Sequence, residues 1–148
     1  MTSRPRALPL VAVLAAVASG MAVSAAPPAA AQRAADVVFL RGNYGTMLSG
    51  TIVGDEYFDY RLRAEAGQEL FADLAVSATN GNGSIAFNIL PPGSDGVAIF
   101  IGASEGNTAR VRLPESGVYT IRPHSIGNHR ANAKTPAYQN HLSIQSPP

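Results

Sequence analysis

Two features of this sequence have residue types and spacing that could support catalysis or metal binding. The first is a serine in a short glycine-containing motif. Ser104 lies in GASEG at 102–106, which matches the G-x-S-x-G turn of serine hydrolases. That turn must join a strand to a helix above a parallel sheet, whereas the alternating segment NTARVRL follows here. The sequence therefore favours a hairpin turn at this point, and it does not indicate an enzyme.

The second group consists of His124, His129 and His141, which are candidate metal ligands. Zinc needs three or four ligands held in tetrahedral geometry. His124 and His129 lie on an expected loop, and no acidic residue follows Glu115. Surface histidines are therefore the better interpretation, and we predict neither a metal nor a cofactor.

Asp55, Glu56 and Asp59 cluster around an expected turn, as calcium ligands do. The ladder of Asp and Asn residues around a central glycine that marks an EF-hand loop does not surround them. We predict a solvated turn followed by a charged outer strand face that carries Asp59.

A polar and basic segment at 123–136 is the most promising functional feature. Alternating residues at 119–122 and 138–144 predict a strand on either side of it. Structureless connections longer than about twelve residues are usually functional or disordered. We interpret the segment as a recognition loop, and the alternative is a passive connector between two strands.

The first 31 residues have the pattern of an export signal. Arg4 and Arg6 precede an apolar run, and AAA at 29–31 fits a small-x-small cleavage site. We predict a signal peptide at 1–31 and a mature domain at 32–148. The mature protein is expected to be periplasmic or secreted, with no membrane span after cleavage.

The predicted mature chain is nearly neutral. Residues 1–31 hold two of the eleven Lys and Arg residues, so nine basic groups face ten acidic ones after cleavage. A surface with this balance has no electrostatic footprint for nucleic acid, which we exclude as a partner. The chain has no cysteine, and this excludes disulfides and thiolate metal sites.

Alternation of apolar and polar residues extends through most of the mature chain. It is clear at 58–64, 70–76 and 84–90, between turns rich in Gly, Pro, Asn and Asp. Short strands at this spacing predict an all-β fold, a single antiparallel β-sandwich of about eight short strands. The apolar phase of the strands predicts a core of Phe58, Tyr60, Leu62, Leu74, Phe87, Ile89, Tyr119, Ile121 and Leu142.

Four longer stretches then carry a family resemblance. They are SGTIVGDEYFDYRLRAEAGQ at 49–68, FNILPPGSDGVAIFIG at 87–102, LPESGVYTIR at 113–122 and TPAYQNHLSI at 135–144. Together they resemble the periplasmic inhibitors of goose-type lysozyme and the wider group of exported β-sandwiches related to the prepeptidase C-terminal domain. Much of this similarity lies in the scaffold, because AEAGQ predicts a hairpin turn with Gly67 at positive φ.

The resemblance implies that a basic loop enters the acidic cleft of the lysozyme, where arginines pair with carboxylates. Counted from Tyr119 and Tyr138, His124 stands at a family tyrosine position, whereas Gly127 and Ala131 stand at two family arginine positions. Arg130 and Lys134 are the cations that this loop retains, each out of register.

The resemblance thus implies an exported, non-enzymatic inhibitor that occludes the lysozyme active-site cleft with the loop at 124–136. Arg122 matches a family strand residue, and Tyr44 falls where the family has an aromatic on a neighbouring loop. The alternative is a cell-envelope protein- or carbohydrate-binding module of the prepeptidase C-terminal type. It is favoured by the loop's lack of aromatic residues, because tight interfaces centre on aromatic and arginine anchors. The predicted partner-binding residues are Tyr44, Arg122, His124, Arg130 and Lys134.

Overall fold

The computed structural model describes residues 33–77, 84–127 and 136–147. Within them the chain forms short strands joined by turns and a single turn of helix. In chain order the elements are β1 (Arg33–Asp36), β2 (Gly45–Thr51), β3 (Phe58–Ala64), β4 (Glu69–Ser77), β5 (Ser84–Leu90), β6 (Phe100–Ile101), α1 (Gly102–Glu105), β7 (Thr108–Arg112), β8 (Gly117–Ile126) and β9 (Ala137–Gln145).

The strands form two sheets that enclose one core. The five-stranded sheet has the order β1-β3-β8-β5-β6, and the four-stranded sheet has the order β2-β9-β4-β7. Neighbours are antiparallel except β1 and β3, which are parallel. The predicted all-β sandwich is confirmed, with nine strands in the described ranges in place of about eight. In the described part of the chain, no helix has the length and apolar character that crossing a membrane requires.

The core lies between the inner faces of the two sheets. Eight of the nine predicted core residues are buried there, as the period-two alternation of the sequence requires. The ninth, Phe58, is half-buried at the start of β3, where its ring stacks on Tyr60 with the centroids 4.4 Å apart. Each sheet therefore contributes one largely apolar face, which also carries the buried polar side chains Ser125 and Asn140.

Two predicted hairpin turns instead connect different sheets. Gly67 has the expected positive φ, +85°, but its turn joins β3 of one sheet to β4 of the other. The GASEG segment forms α1, which leads from β6 to β7 and thus also changes sheets. Gly102 begins this helical turn against the backbone of Phe87, where an added Cβ would overlap main-chain atoms. Turn composition is local, so it cannot show which sheet the next strand enters.

β8 is longer than predicted, which shortens the expected loop. Proline favours a strand end because it has no amide donor, yet Pro123 is buried and lies opposite Phe87 in the pairing with β5. That pairing continues as far as Ile126. Residues 123–126 are therefore strand, and the prediction of a loop at 123–136, or 124–136, is wrong at its start. The connecting segment runs from 127 to 136.

Two tyrosines join the sheets across the core. The hydroxyl oxygens of Tyr60 on β3 and Tyr138 on β9 lie 2.7 Å apart in a hydrogen bond. Burial raises the pKa of Tyr138 far above its ordinary value, and the hydrogen bond to Tyr60 raises it further. The folded protein therefore keeps this hydroxyl protonated under conditions in which an unfolded tyrosine ionises.

We expect stability to fall in alkali for this reason. The contribution of Tyr138 is complete below about pH 10, the unfolded pKa, and is lost as the pH rises towards the higher folded pKa. Tyr138→Phe should lower stability at neutral pH by about 1 kcal/mol, yet flatten the decline above about pH 10. Urea titrations across this range measure both effects, with Tyr44→Phe as an exposed control. Equal alkaline slopes for wild type and Tyr138→Phe would contradict the prediction.

Candidate functional site

The segment at 127–136 connects β8 to β9 at one end of the sandwich, which we call the tip end. β8 stops there at Ile126, and β9 begins there at Ala137, which is paired with Thr51 at the end of β2. The guanidinium of Arg33 donates to the carbonyl oxygen of Thr51 at 2.6 Å and lies 3.4 Å from Glu56. Strand pairing and this arginine thus hold the base of the segment.

A cluster of polar side chains lies beside the tip end, on the outer face of the five-stranded sheet. We call Tyr57, Asp59, Asp95, Arg122 and His124 the arginine cluster. Its centre is a two-bonded ion pair, in which Arg122 Nε and Nη2 donate to the two carboxylate oxygens of Asp59 at 2.6 and 2.9 Å. Arg122 Nη1 also donates to the carbonyl oxygen of Asp95 at 3.2 Å, and Cζ lies 4.4 Å from the centroid of the Tyr57 ring.

Strand register brings the two ions together. Tyr60 of β3 lies opposite Ile121 of β8. The preceding residue of β3, Asp59, and the following residue of β8, Arg122, are therefore direct neighbours on the outer face. Asp59 lies on the outer strand face, as predicted, yet it is only 6% exposed. The hydrogen bond to Asp59 raises the pKa of Arg122, and this effect outweighs the lowering by burial, so the guanidinium stays charged.

The predicted site residue Arg122 thus has intramolecular partners on three sides. Its guanidinium links β3 to the turn that contains Asp95, and it would have to exchange these contacts to bind a carboxylate of another protein. Sequence reasoning missed Tyr57 and Asp95 as its neighbours. Alternation could place Tyr57 and Asp59 on one strand face, but no local signal assigns their partner on β8.

His124 is part of β8 and does not lie on a loop. It is half-buried, forms a bridge with Tyr57 and lies opposite Ala86 of β5. Its Nδ1 is 3.2 Å from the carbonyl oxygen of Arg122. His124 therefore belongs to the sheet face below the tip end. Arg130 and Lys134, the other predicted residues of this region, lie outside the described residues.

Tyr44 lies at the opposite end of the sandwich. Its carbonyl oxygen accepts a hydrogen bond of 2.8 Å from the amide of Ile144, near the end of β9, whereas the 127–136 segment meets β9 at its start. The distance along a strand of this length is about 25 Å, at roughly 3.3 Å per residue. The expectation that Tyr44 lies on a loop next to the recognition segment is therefore wrong, although the side chain is 73% exposed.

The described candidates for metal binding and for hydrolysis lie apart from one another. Across the described ranges, no three His, Cys, Asp or Glu side chains come together as metal ligands would. His124 and His141 face outward from different sheets. Ser104 is exposed in α1, which follows a strand that pairs antiparallel with β5, so it lacks the parallel sheet of a hydrolase turn.

The architecture is that of a small two-sheet β-sandwich domain, and solved structures of this class resemble it. PliG of Aeromonas hydrophila, a periplasmic inhibitor of g-type lysozyme, has a TM-score of 0.68 and 24% identity, over 76% of this chain and 96% of that one. A mutant of Escherichia coli PliG, from the same kind of inhibitor, has a TM-score of 0.58 and 27% identity, over 78% and 100% of the two chains.

A third similar structure is the pre-peptidase C-terminal domain of a Bacillus anthracis collagenase. Its TM-score is 0.52 at 16% identity, over 77% of this chain and 96% of that one. No family model matches the sequence, and no curated protein matches it significantly. The likenesses confirm the predicted structural resemblance to both groups, and the PliG structures are inhibitors rather than enzymes.

Proposed function

We propose that residues 32–148 form an exported inhibitor of goose-type lysozyme, released by cleavage of a signal peptide at 1–31. The observation that carries the proposal is the fold likeness to the PliG inhibitors, which extends over 96–100% of their chains. The inhibitor acts in the periplasm or outside the cell as a binding protein without a cofactor. Its partner is the lysozyme itself.

Inhibition would be steric, by insertion of the 127–136 segment into the active-site cleft. β8 lies between β3 and β5, and β9 lies between β2 and β4, so both strands that carry the segment are paired on each side. Firmly held anchor strands reduce the part of the binding surface that must become ordered on association. Arg130 and Lys134 supply positive charge for the acidic cleft that the family resemblance implies.

The supporting contacts then come from the sheet below the segment. His124 and Arg122, the two members of the arginine cluster on β8, lie on the outer face of that strand shortly before Ile126. Tyr44 does not belong to the same contact, because it lies at the opposite end of the sandwich. The proposed site is therefore smaller than the sequence prediction.

The direct test is the lysis of bacterial cell walls by a goose-type lysozyme, followed by turbidity. Purified 32–148 should slow the loss of turbidity in proportion to its concentration, with chicken-type lysozyme as the specificity control. Binding should weaken as salt rises, because ions screen the attraction between the basic segment and an acidic cleft as the two approach. An unchanged rate with the chain in excess would refute lysozyme inhibition.

A charge-removal pair locates the inhibitory surface. Arg130→Ala combined with Lys134→Ala should weaken inhibition by at least about thirtyfold, because loss of a buried interfacial charge costs about 2 kcal/mol or more. The matched control is Arg63→Ala combined with Arg112→Ala, which removes two exposed cations from strands outside the tip end. Equal inhibition by both double variants would show that the segment does not carry the inhibitory activity. Melting curves check that each variant is folded.

The second candidate function is a cell-envelope protein- or carbohydrate-binding module. The likeness to the collagenase pre-peptidase C-terminal domain favours it. Retention of the chain by isolated cell walls or matrix protein, with no effect on lysozyme, would support this function over inhibition.

A further inference from the structure

We propose that β2 is a pairing edge on which a second copy of this chain adds its own β2, antiparallel, to form a two-fold symmetric dimer. The proposal does not depend on lysozyme inhibition. It rests on the contrast between β2 and the other sheet edges, on the direction of its backbone groups, and on the charges that flank it.

The two sheets have four edge strands, and three of them carry features that discourage pairing. Short length and charged side chains are the usual protections of an exposed edge. β6 has two residues, β1 has four and carries Arg33 and Asp36, and β7 carries Arg110 and Arg112. β2 has seven residues, GTMLSGT, without a charge or a proline. The uncharged, proline-free stretch extends from 42 to 54.

Two hydrogen bonds show which backbone groups of β2 are on its open side. The amide of Ile144 donates to Tyr44 O, and the amide of Ile52 donates to Pro136 O. In an antiparallel pair the groups that face the partner strand recur at every second residue. Even-numbered residues of β2 therefore face β9.

The odd-numbered residues of β2, Gly45, Met47, Ser49 and Thr51, accordingly direct their N–H and C=O groups away from β9. Within the described ranges, the partner we find on this side is Arg33, which donates to Thr51 O. An unprotected row of amides and carbonyls of this length is a template for another strand.

Exposed apolar side chains accompany this open backbone. Met47 is 57% exposed on β2, and Leu40 and Tyr44, in the segment that leads into the strand, are 75% and 73% exposed. Apolar side chains grouped beside an open edge indicate a surface that another molecule covers. The edge thus offers both main-chain and side-chain contacts.

Charge favours a second copy as that molecule. A neutral strand can lie against itself without opposing like charges. Arg41 precedes the neutral stretch, whereas Asp55 and Glu56 follow it, so antiparallel pairing brings the basic flank of one copy to the acidic flank of the other. Arg33 lies 3.4 Å from Glu56, and the formal charges of Arg33, Asp55 and Glu56 together are net negative. The two-fold axis repeats each contact.

The test is sedimentation velocity of purified 32–148 between about 1 μM and about 1 mM, the range of weak self-association. The wild type should shift from monomer to dimer as concentration rises. Ser49→Lys sets like charges across the dimer edge, and Met47→Pro removes an outward N–H without removing a bond to β9. Each should raise the dimer dissociation constant at least about tenfold.

The matched control is Ala75→Lys, which adds the same charge at an exposed position of β4, two strands from the edge. It should leave the dissociation constant within about twofold. Thermal melts confirm folding, and Ser49→Lys decides if Met47→Pro does not fold. A wild type that stays monomeric throughout overturns the proposal, even if β2 captures a strand of another protein. So does a dimer that both folded variants preserve.

Discussion

Replacing Phe87 by alanine is expected to lower the free energy of unfolding by about 3–5 kcal/mol. Phe87 is fully buried on the inner face of β5, and its ring stacks on Phe100 with the centroids 5.2 Å apart. Truncation removes apolar contacts and leaves a cavity between the two sheets. The cavity persists because strands that are paired within a sheet cannot shift one at a time to fill it. Denaturant titration measures the loss, which is a large share of the stability of a domain.

Phe71→Ala is the control for this prediction, because it makes the same chemical change on an outer face. Phe71 is half-buried on β4, with the Arg110 guanidinium carbon 5.2 Å from its ring centroid and His141 edge-on at 6.0 Å. Its loss should cost about 1 kcal/mol. Similar costs for the two phenylalanines would mean that the sandwich is not packed as the structure shows.

Asp59→Ala is the second change with a large expected effect. It leaves the Arg122 guanidinium without its principal partner in a site where the two side chains are 8% and 16% exposed. Loss of one member of a buried ion pair costs about 3–5 kcal/mol, because the remaining charge stays poorly solvated. The Asp95 carboxylate, 3.7 Å from Nη2 and fully exposed, offers weak compensation. We therefore expect a loss towards the lower end of that range.

Two further variants separate a buried charge from a surface contact. Asp36→Ala breaks the Arg61–Asp36 pair, whose side chains are 51% and 70% exposed, and should cost less than about 1 kcal/mol. Asp59→Leu combined with Arg122→Met removes both buried charges and should recover most of the stability that Asp59→Ala loses. If the double variant is as unstable as Asp59→Ala, the loss in free energy of unfolding comes from altered packing and not from an uncompensated charge.

These expectations also bear on the proposed site. If Arg122 mainly binds β3 and the Asp95 turn together, its removal lowers stability and disturbs the sheet below the tip end. Loss of inhibition in an Arg122 variant would then need a stability correction before it could be assigned to the interface. Arg130 and Lys134 are the better probes of recognition for this reason.

The sequence by itself determined the fold class and most of the core. Alternation at 58–64, 70–76 and 84–90 is a local property, and a strand with one buried face must show it. Residues such as Leu62, Leu74 and Phe87 could therefore be assigned to the inside without knowledge of any partner strand. The positive φ of Gly67 was predictable in the same way, because turn chemistry depends on neighbouring residues.

Only the tertiary structure decided how the described candidate residues are arranged. Asp59 and Arg122 are 63 residues apart in the chain, and their pairing depends on the register between β3 and β8. β5 carries the pairing of β8 past Pro123, where local rules favour a strand end. The family pattern assigns Tyr44 to a loop next to the segment, but that pattern does not reveal which end of β9 lies beside Tyr44. Periodicity is local, whereas register and sheet membership arise from contacts between residues far apart in the sequence.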